Sequence, residues 1–346
     1  MQYPLINIVI ATLNSDTTLK KVLESIKKQD YPKNKIRVLI IDGGSVDSTK
    51  SIARKFKFKI LTNSKTEDIF AKQLGFIKAT GKFLLYLDSD EILENYHSLM
   101  VKYLTFKENI RIKAVIPSGY KTPVKYSPIN YYINEFGDPF SFFMYKESKG
   151  DNFSMKDWIE KYKKVSEDEN STVFNFSESK SLPLVELCAG GCMIDLAFAK
   201  LAFPKIKKDS SLIGQLFYLI NSKDKLFAVT KNDYTIHYST ENFHKYLKKI
   251  SSRIVNNVYG TVRGKGGFTG REKFQSPWYY FKKYLFIPYS LSLIFPLYDS
   301  VYLSVTRKKF IYLIHPFLCL YTTTLIVYYY SLKTFNIKLE IKNYGH

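Results

Sequence analysis

The feature that most constrains this chain is a series of short apolar runs, each closed by a small polar or acidic residue and followed by a helical repeat. Residues 5–11 (LINIVIA) are continuously apolar, as in a strand covered on both faces. Thr12, Asn14, Ser15 and Asp16 then supply loop and cap chemistry, and Leu19, Val22, Leu23 and Ile26 recur at helical spacing. A second apolar strand, Ile36–Ile41, stops at Asp42-Gly43-Gly44. Ser45–Phe56 predicts a helix, Ile60 and Leu61 begin a third strand, and Ile69–Ala79 predicts a helix closed by Gly81. Phe83–Leu87 is a fourth strand that runs into Asp88-Ser89-Asp90. Such alternation implies an α/β fold: an open, mostly parallel sheet wound by right-handed crossovers and flanked by helices. Ligands of these sheets sit at the carboxyl ends of the strands, so Thr12, Asn14, Asp42, Asp88 and Asp90 are expected on one edge.

Two carboxylates one residue apart suit a hard divalent cation, which in turn neutralises a diphosphate. A lone triplet of this kind is more often a solvated turn; its place after FLLYL and its company with Asp42 argue for the cation. Asp42 has two readings, a hold on a uracil or ribose, or a cap on the turn at Gly43-Gly44.

Further along, residues 114–187 mix prolines and aromatics, and the polar stretch Ser166–Ser181 reads as a mobile loop. Apolar character returns over Leu182–Asp195 around Gly190-Gly191; Leu212–Leu219 predicts a helix, and Phe227–Thr230 and Tyr234–Tyr238 predict strands. From Asn242 the pattern is an amphipathic helix, with Phe243, Tyr246, Leu247, Ile250, Ile254 and Val258 on one face and Lys245, Lys248, Lys249 and Arg253 largely around the others. Residues 259–277 are Gly-rich and basic and read as a loop.

The formal charge of +21 calls for an anionic partner. Residues 245–283 hold ten Lys or Arg against one acid, Glu272, directly before an aromatic, apolar tail. That placement fits a membrane surface; a nucleic-acid site would interleave basic and aromatic residues on a sheet face, so no nucleic-acid partner is expected. In the tail, Phe310–Leu332 has 23 residues without a formal charge, about 34 Å as a helix and enough to cross a bilayer core. Tyr284–Val305 is interrupted by Pro288, Pro296 and an Asp299 that would be costly if unpaired in lipid, so it predicts an interfacial segment. Three cysteines without ligand spacing suit a reducing compartment, and the N-terminal apolar run is too short for a signal peptide, which places the catalytic part on the cytoplasmic face of the cell membrane.

The segments IVIATLNSDTTLKKVLESIKKQDYP, VLIIDGGSVDST, AKQLGFIKATGKFLLYLDSDE and the later AGGCMI resemble family 2 glycosyltransferases of the GT-A fold, in family order over most of the first 95 residues. The resemblance implies inverting transfer of a sugar from a nucleotide-diphosphate donor, with Mn2+ or Mg2+ as cofactor. It implies that Thr12, Asn14 and Asp42 line the nucleotide pocket, that Lys72 lies near the diphosphate where the family often has Arg, that Asp88 contacts the nucleotide, and that Asp90 binds the metal. The general base would be Asp209, in IKKDSSL, where the usual neighbouring Glu is Lys208; a plain helix N-cap is the other reading. His237 in TIHYS is a candidate third metal ligand, against a structural role, and Arg253 a candidate diphosphate contact, against a solvated or lipid-facing one. The processive signature QxxRW is absent, which favours transfer of a single sugar.

The expected organisation is a catalytic domain over 1–240, a basic amphipathic helix and linker over 241–283, and hydrophobic membrane-associated helices over 284–346. The expected partners are the sugar nucleotide, a lipid-linked glycan acceptor and membrane lipids. A sugar-nucleotide pyrophosphorylase would need a Gly-rich loop where this chain has ATLNSD. A catalytically inactive scaffold remains the alternative, hinted at by Lys208.

Overall fold

The computed structural model describes residues 2–151, 153–337 and 339. The expected alternation is present. Strands β1 (Ile6–Thr12), β2 (Ile36–Asp42), β3 (Lys59–Thr62) and β4 (Phe83–Asp88) are separated by helices α1 (Asp16–Lys28), α2 (Thr49–Lys55) and α3 (Asp68–Lys78). All four strands are parallel, in the order β3-β2-β1-β4, with Thr12 beside Asp42 and Ala11 beside Asp88. Alternate residues feed two apolar layers: Val9, Leu39, Leu84 and Tyr86 pack with α3, while Ile8, Ile10, Leu85 and Leu87 pack with α1. Gly75 lets α3 lie directly on β1, since a Cβ there would stand 2.4 Å from a Val9 methyl.

Beyond β4 come β5 (Glu91–Leu93), α4 (Ser98–Glu108), β6 (Ala114–Ile116), β7 (Gly119–Lys121), α5 (Ile129–Phe136), α6 (Pro139–Tyr145) and α7 (Ser154–Lys161). Then follow β8 (Lys163–Glu167), β9 (Ser171–Asn175), β10 (Met193–Asp195), α8 (Leu196–Ala202), α9 (Leu216–Lys223), β11 (Leu226–Thr230) and β12 (Tyr234–His237). The large sheet continues β4-β10-β6-β11-β9-β8, and all but β10 and β9 run the same way. A small sheet, β5-β12-β7, stands over the strand ends.

Two expectations of loop are corrected. The stretch read as mobile from Ser166 is half of an antiparallel hairpin, β8–β9, that closes the sheet edge, with Phe174 buried against Trp158. The Gly-rich segment 259–277 folds into the short helices α11 (Val262–Gly266) and α12 (Phe268–Arg271). Close backbone contacts need its glycines: a Cβ on Gly264 would meet the Asn256 carbonyl oxygen at 2.1 Å. The helix expected over Leu212–Leu219 begins instead as a 3-10 turn, Ser210–Gln215, and becomes α-helical at Leu216.

The amphipathic helix is present as α10 (Phe243–Tyr259), N-capped by Asn242 and closed by Gly260 in a left-handed conformation. After it come α13 (Pro277–Lys282), α14 (Phe286–Leu291), α15 (Ile294–Arg307) and α16 (His315–Thr334). Helix α16 lies alongside α10 over its length. The Phe243 and Phe317 rings are 6.0 Å apart, the Tyr321 hydroxyl donates to the Leu247 carbonyl at 3.4 Å, and Lys333 Nζ donates to the Val258 carbonyl at 2.6 Å. Both helices share a core with α5 through Tyr132, Tyr246, Ile250 and Leu318. Asp299 is paired: it binds Lys146 Nζ, and the Tyr289 hydroxyl donates to it at 2.6 Å. Arg307 binds Glu135 at 2.8 Å and is not a loose charge of the α15–α16 turn.

Candidate active site

Because β1, β2 and β4 are parallel neighbours, their ends bring Thr12, Asp42 and Asp88 to one edge. Asp42 is 4% exposed and takes the capping role: its carboxylate accepts from the Gly44 and Ser45 amides, both at 3.0 Å, and from Thr12 Oγ1 at 3.2 Å. Asn14, at φ 48°, ties the first loop to the second; its amide donates to Ser45 Oγ at 2.9 Å and its Oδ1 accepts from the Val46 amide at 3.0 Å. These residues shape the floor of the cleft. The start of α1 reaches the acidic turn, where Thr18 Oγ1 donates to the Ser89 carbonyl at 2.7 Å.

Lys72 projects from α3 into this edge, 4% exposed, with Nζ 2.7 Å from Asp88 Oδ1 and 4.0 Å from Asp68 Oδ2. Burial works against its ammonium, yet the field of Asp88 outweighs it and holds the pKa well above the usual value. Burial, helped by Asp90, raises the Asp88 carboxyl despite Lys72. At Asp90 burial is outweighed by His237 and then Lys249, which hold this carboxyl below its usual range. The β5–β12 pairing sets His237 opposite Glu91, with Nε2 3.6 Å from Asp90 Oδ2. Its Nδ1 is buried without a hydrogen-bond partner among the described residues.

Glu91 was not assigned from the sequence, although it directly follows the acidic triplet. It is 1% exposed and accepts from the Asp88 amide at 2.8 Å, the Gly190 amide at 2.7 Å and the Tyr120 hydroxyl at 3.0 Å. Burial, then the charge of Asp88, raises its pKa to about 7. Glu91 thereby joins the acidic turn to the Gly190-Gly191 turn, whose positive φ values of 71° and 78° explain the paired glycines. Glu91→Gln removes the charge that the two amides and the hydroxyl share, and with its oxygen on the amides its NH2 faces the Tyr120 hydroxyl, which must turn from donor to acceptor. The expected result is a loss of about 1–3 kcal/mol in stability and a lower turnover with donor affinity less affected, measured by denaturation and by steady-state kinetics.

Of the other expected residues, Asp209 is exposed and caps the 3-10 turn, accepting from the Ser211 amide at 3.0 Å and from Ser211 Oγ at 2.6 Å. No hydrogen bond or ion pair among the described residues joins it to Asp88 or Asp90. Arg253 reaches neither of these acids; its Nη1 binds Asp138 at 3.0 Å and the Gly137 carbonyl at 3.2 Å. Lys249, expected on the polar outer face, is instead turned inward. Its Nζ donates to Ser239 Oγ at 3.2 Å, and burial lowers its pKa to about 8 while Asp90 opposes the shift. Arg263 lies 3.6 Å from Asp68, and Arg271, 7% exposed at its side chain, lies 2.8 Å from Glu186. Part of the positive charge read as a membrane contact, Lys249, Arg263 and Arg271, is therefore engaged with acids of the domain.

No three His, Cys, Asp or Glu side chains form a ready metal cluster among the described residues. Asp90 and His237, at 3.6 Å and with His237 otherwise unbonded, nevertheless fit two protein ligands of a divalent ion whose remaining shell comes from phosphate oxygens and water. Asp88, held by Lys72, is less available for this than expected.

Residues 7–157 match the family described as Glycosyl transferase family 2. Glycosyltransferase AglE of Haloferax volcanii is 33% identical over 93 residues, which are 25% of this chain and 31% of that protein. A Methanococcus voltae dolichyl N-acetyl-alpha-D-glucosaminyl phosphate 3-beta-D-2,3-diacetamido-2,3-dideoxy-beta-D-glucuronosyltransferase is 38% identical over 87 residues, 23% of this chain and 27% of that protein. A Campylobacter jejuni GalNAc(5)-diNAcBac-PP-undecaprenol beta-1,3-glucosyltransferase is 28% identical over 97 residues, 26% of this chain and 31% of that protein. The chain thus spans less than a third of the length of each of these relatives. Among solved structures, S. aureus TarS 1–349 in complex with UDP-GlcNAc aligns at TM-score 0.49 and 13% identity, covering 98% of this chain and 95% of that one.

Proposed function

We propose that this chain, whose residues 7–157 belong to glycosyltransferase family 2, transfers a single sugar from a nucleotide-diphosphate donor to a membrane-bound, polyprenyl-linked acceptor, with inversion at the anomeric carbon. The observation that carries the reading is the acid pair at the end of β4, with Lys72 locked on Asp88 and His237 facing Asp90. In this reading the Thr12–Asp42 edge receives the nucleotide. Lys72 sets the position of Asp88 and adds positive charge beside the diphosphate. His237 and Asp90 hold a Mn2+ or Mg2+ ion, which would neutralise charge on the departing diphosphate. Asp209 is exposed and both of its bonds from Ser211 fall on Oδ1, which leaves Oδ2 open to take the proton of the acceptor hydroxyl. Lys208, where the family usually has Glu, supports a second reading, a scaffold that keeps the fold without transfer. The lipid-linked acceptor is supported by the names of the Methanococcus and Campylobacter relatives.

A panel of UDP-, GDP- and dTDP-sugars with Mn2+ or Mg2+ tests the proposal by binding and by donor hydrolysis. One donor that binds and turns over only with metal supports it; no metal-dependent binding of any donor brings the scaffold forward.

We place residues 1–240 as the catalytic part, 241–283 as the segment that also lines the cleft, and 284–346 as the membrane-contacting part, on the cytoplasmic face. Among the described residues one helix, Phe310–Thr334, is long and apolar enough to cross a membrane. Its pairing with α10 along its length argues for an in-plane attachment, because spanning would carry Lys245, Lys248 and Arg253 into hydrocarbon. Trp278, Phe281, Phe295, Leu297, Tyr298 and Phe310 are exposed, a surface suited to the lipid interface. Trp278→Ser with Phe281→Ser is expected to weaken binding to anionic vesicles by about 3 kcal/mol, roughly a hundredfold, in co-sedimentation. Unchanged binding would place the membrane contact elsewhere.

A further inference from the structure

On the far side of the acid pair from β1–β3, three cations gather, of which only Arg253 was given an expected function, as a diphosphate contact. A methyl group on Gly137 would lie 3.6 Å from Arg253 Nη1 and 3.8 Å from Lys149 Nζ, so the two cations converge over that turn. Arg271 approaches from α12 and binds Glu186 at 2.8 Å; its Nε is buried without a hydrogen-bond partner among the described residues. Lys149 and Glu186 line a cavity of about 70 Å³ whose wall includes Tyr120, the residue that donates to Glu91. The carboxylates within the group are Asp138, bound to Arg253, and Glu186. Lys149 makes no ion pair with a carboxylate among the described residues, so positive charge is left over. Burial would raise the Glu186 carboxyl, but Arg271 and then Lys149 outweigh it and hold it far below the usual range, while burial lowers the Lys149 ammonium despite Glu186.

The geometry points to a phosphate-binding subsite formed by Lys149, Arg253 and Arg271, on the acceptor side of the cleft, that takes the phosphate of the acceptor. It rests on the donor reading above, since the nucleotide is assigned there to the Thr12–Asp42 edge. The side of the sheet separates the two anions. The donor edge is built by β1 and β2, while these cations come from the α6–α7 segment, from α10 and from α12. Two arginines and a lysine suit a tetrahedral, multiply charged oxyanion, with guanidinium forks and a mobile ammonium sharing its oxygens. Glu186 occupies Arg271 until the phosphate arrives and competes with it.

Inorganic phosphate titrated calorimetrically into the full chain saturated with UDP tests the subsite. Phosphate is expected to bind. Lys149→Gln is expected to weaken it about tenfold, one charge-assisted contact, and Glu186→Gln, which removes the competing carboxylate, to tighten it. A packing role alone would weaken binding in both variants, so opposite signs are the signature. UDP affinity of each variant, measured without phosphate, is expected to stay unchanged and reports that the fold is intact. Vesicles carrying a polyprenyl monophosphate form the second arm: a loss of vesicle binding in Lys149→Gln identifies a lipid headgroup, and unchanged vesicle binding identifies a soluble phosphate. Phosphate that competes with UDP, or fails to bind the UDP-saturated chain, overturns the proposal and gives these cations to the donor or to structure alone. Phosphate binding by a chain that binds no UDP would overturn the donor reading instead.

Discussion

Asp90→Asn is expected to lower sugar transfer about a hundred- to a thousandfold, the range found when one preorganised charge-stabilising group is removed. The asparagine keeps the size of the side chain and the backbone bond from the Tyr238 amide to the residue-90 carbonyl at 2.9 Å, so the turn should survive.

 The Tyr238–Asp90 bond, at 2.9 Å, joins main-chain atoms only and does not depend on the carboxylate. What is lost is the negative charge that faces His237 at 3.6 Å and would share a cation with it. Metal-dependent donor binding should weaken in parallel, while the melting temperature should move little because the Asp90 side chain is 27% exposed. Asp88→Asn makes the contrast: it leaves the buried Lys72 ammonium without its 2.7 Å partner and should cost stability as well as activity. Transfer by Asp90→Asn at the wild-type rate, with the same metal dependence, would show that the metal is held elsewhere.

The second large effect concerns stability. Lys102 on α4 is fully buried, its Nζ 2.6 Å from Ser98 Oγ and paired with Asp233, whose side chain is 1% exposed. Asp233 Oδ2 also accepts from Thr230 Oγ1 at 3.0 Å, while Oδ1 has no partner among the described residues. Lys102→Met would leave a carboxylate in an apolar interior with one neutral donor. The expected loss is about 3–5 kcal/mol. Adding Asp233→Asn removes the stranded charge and should recover much of that loss, a sign opposite to simple additivity. Denaturant midpoints, compared at equal slope, measure both variants. A double variant less stable than Lys102→Met would mean that Asp233 is held chiefly by its hydrogen bonds.

Strands β1, β2 and β4 were legible because each is largely covered on both faces and so reads as an apolar run, while β3, at the sheet edge, showed only Ile60 and Leu61; the acid pair was legible because it ends such a run. The β8–β9 hairpin was hidden for the opposite reason. Lys163–Glu167 is an exposed edge strand, and its polar residues show no buried period. The helices within 259–277 were hidden because glycine suggests a loop unless the close contacts that require it are known. For the site, residue type was readable and direction was not. Lys249 and Arg253 share a helix with residues that face away from the cleft, and only the packing of α10 shows that Lys249 turns inward. Asp209 had a cap and a base as readings, and its two bonds from Ser211 make the cap through Oδ1 while leaving Oδ2 open for the base. Glu91 and Glu186 carried no spacing signal, since their partners at Gly190 and Arg271 are 99 and 85 residues away.

The side-by-side packing of α10 and α16 also orders events during synthesis. A nascent chain that has emerged as far as residue 300 has the strands that set Asp42, Asp88 and Asp90, and can fold them as an early unit. It lacks the helix against which Tyr246, Ile250 and Val258 rest, so Lys249 and Arg253 have no fixed place until residues 315–334 dock. The half of the cleft assigned to the nucleotide is thus available before the half that carries these cations. A shortened version cut ahead of α16 to improve handling would bare the apolar flank of α10, and is a poor choice for testing the whole cleft.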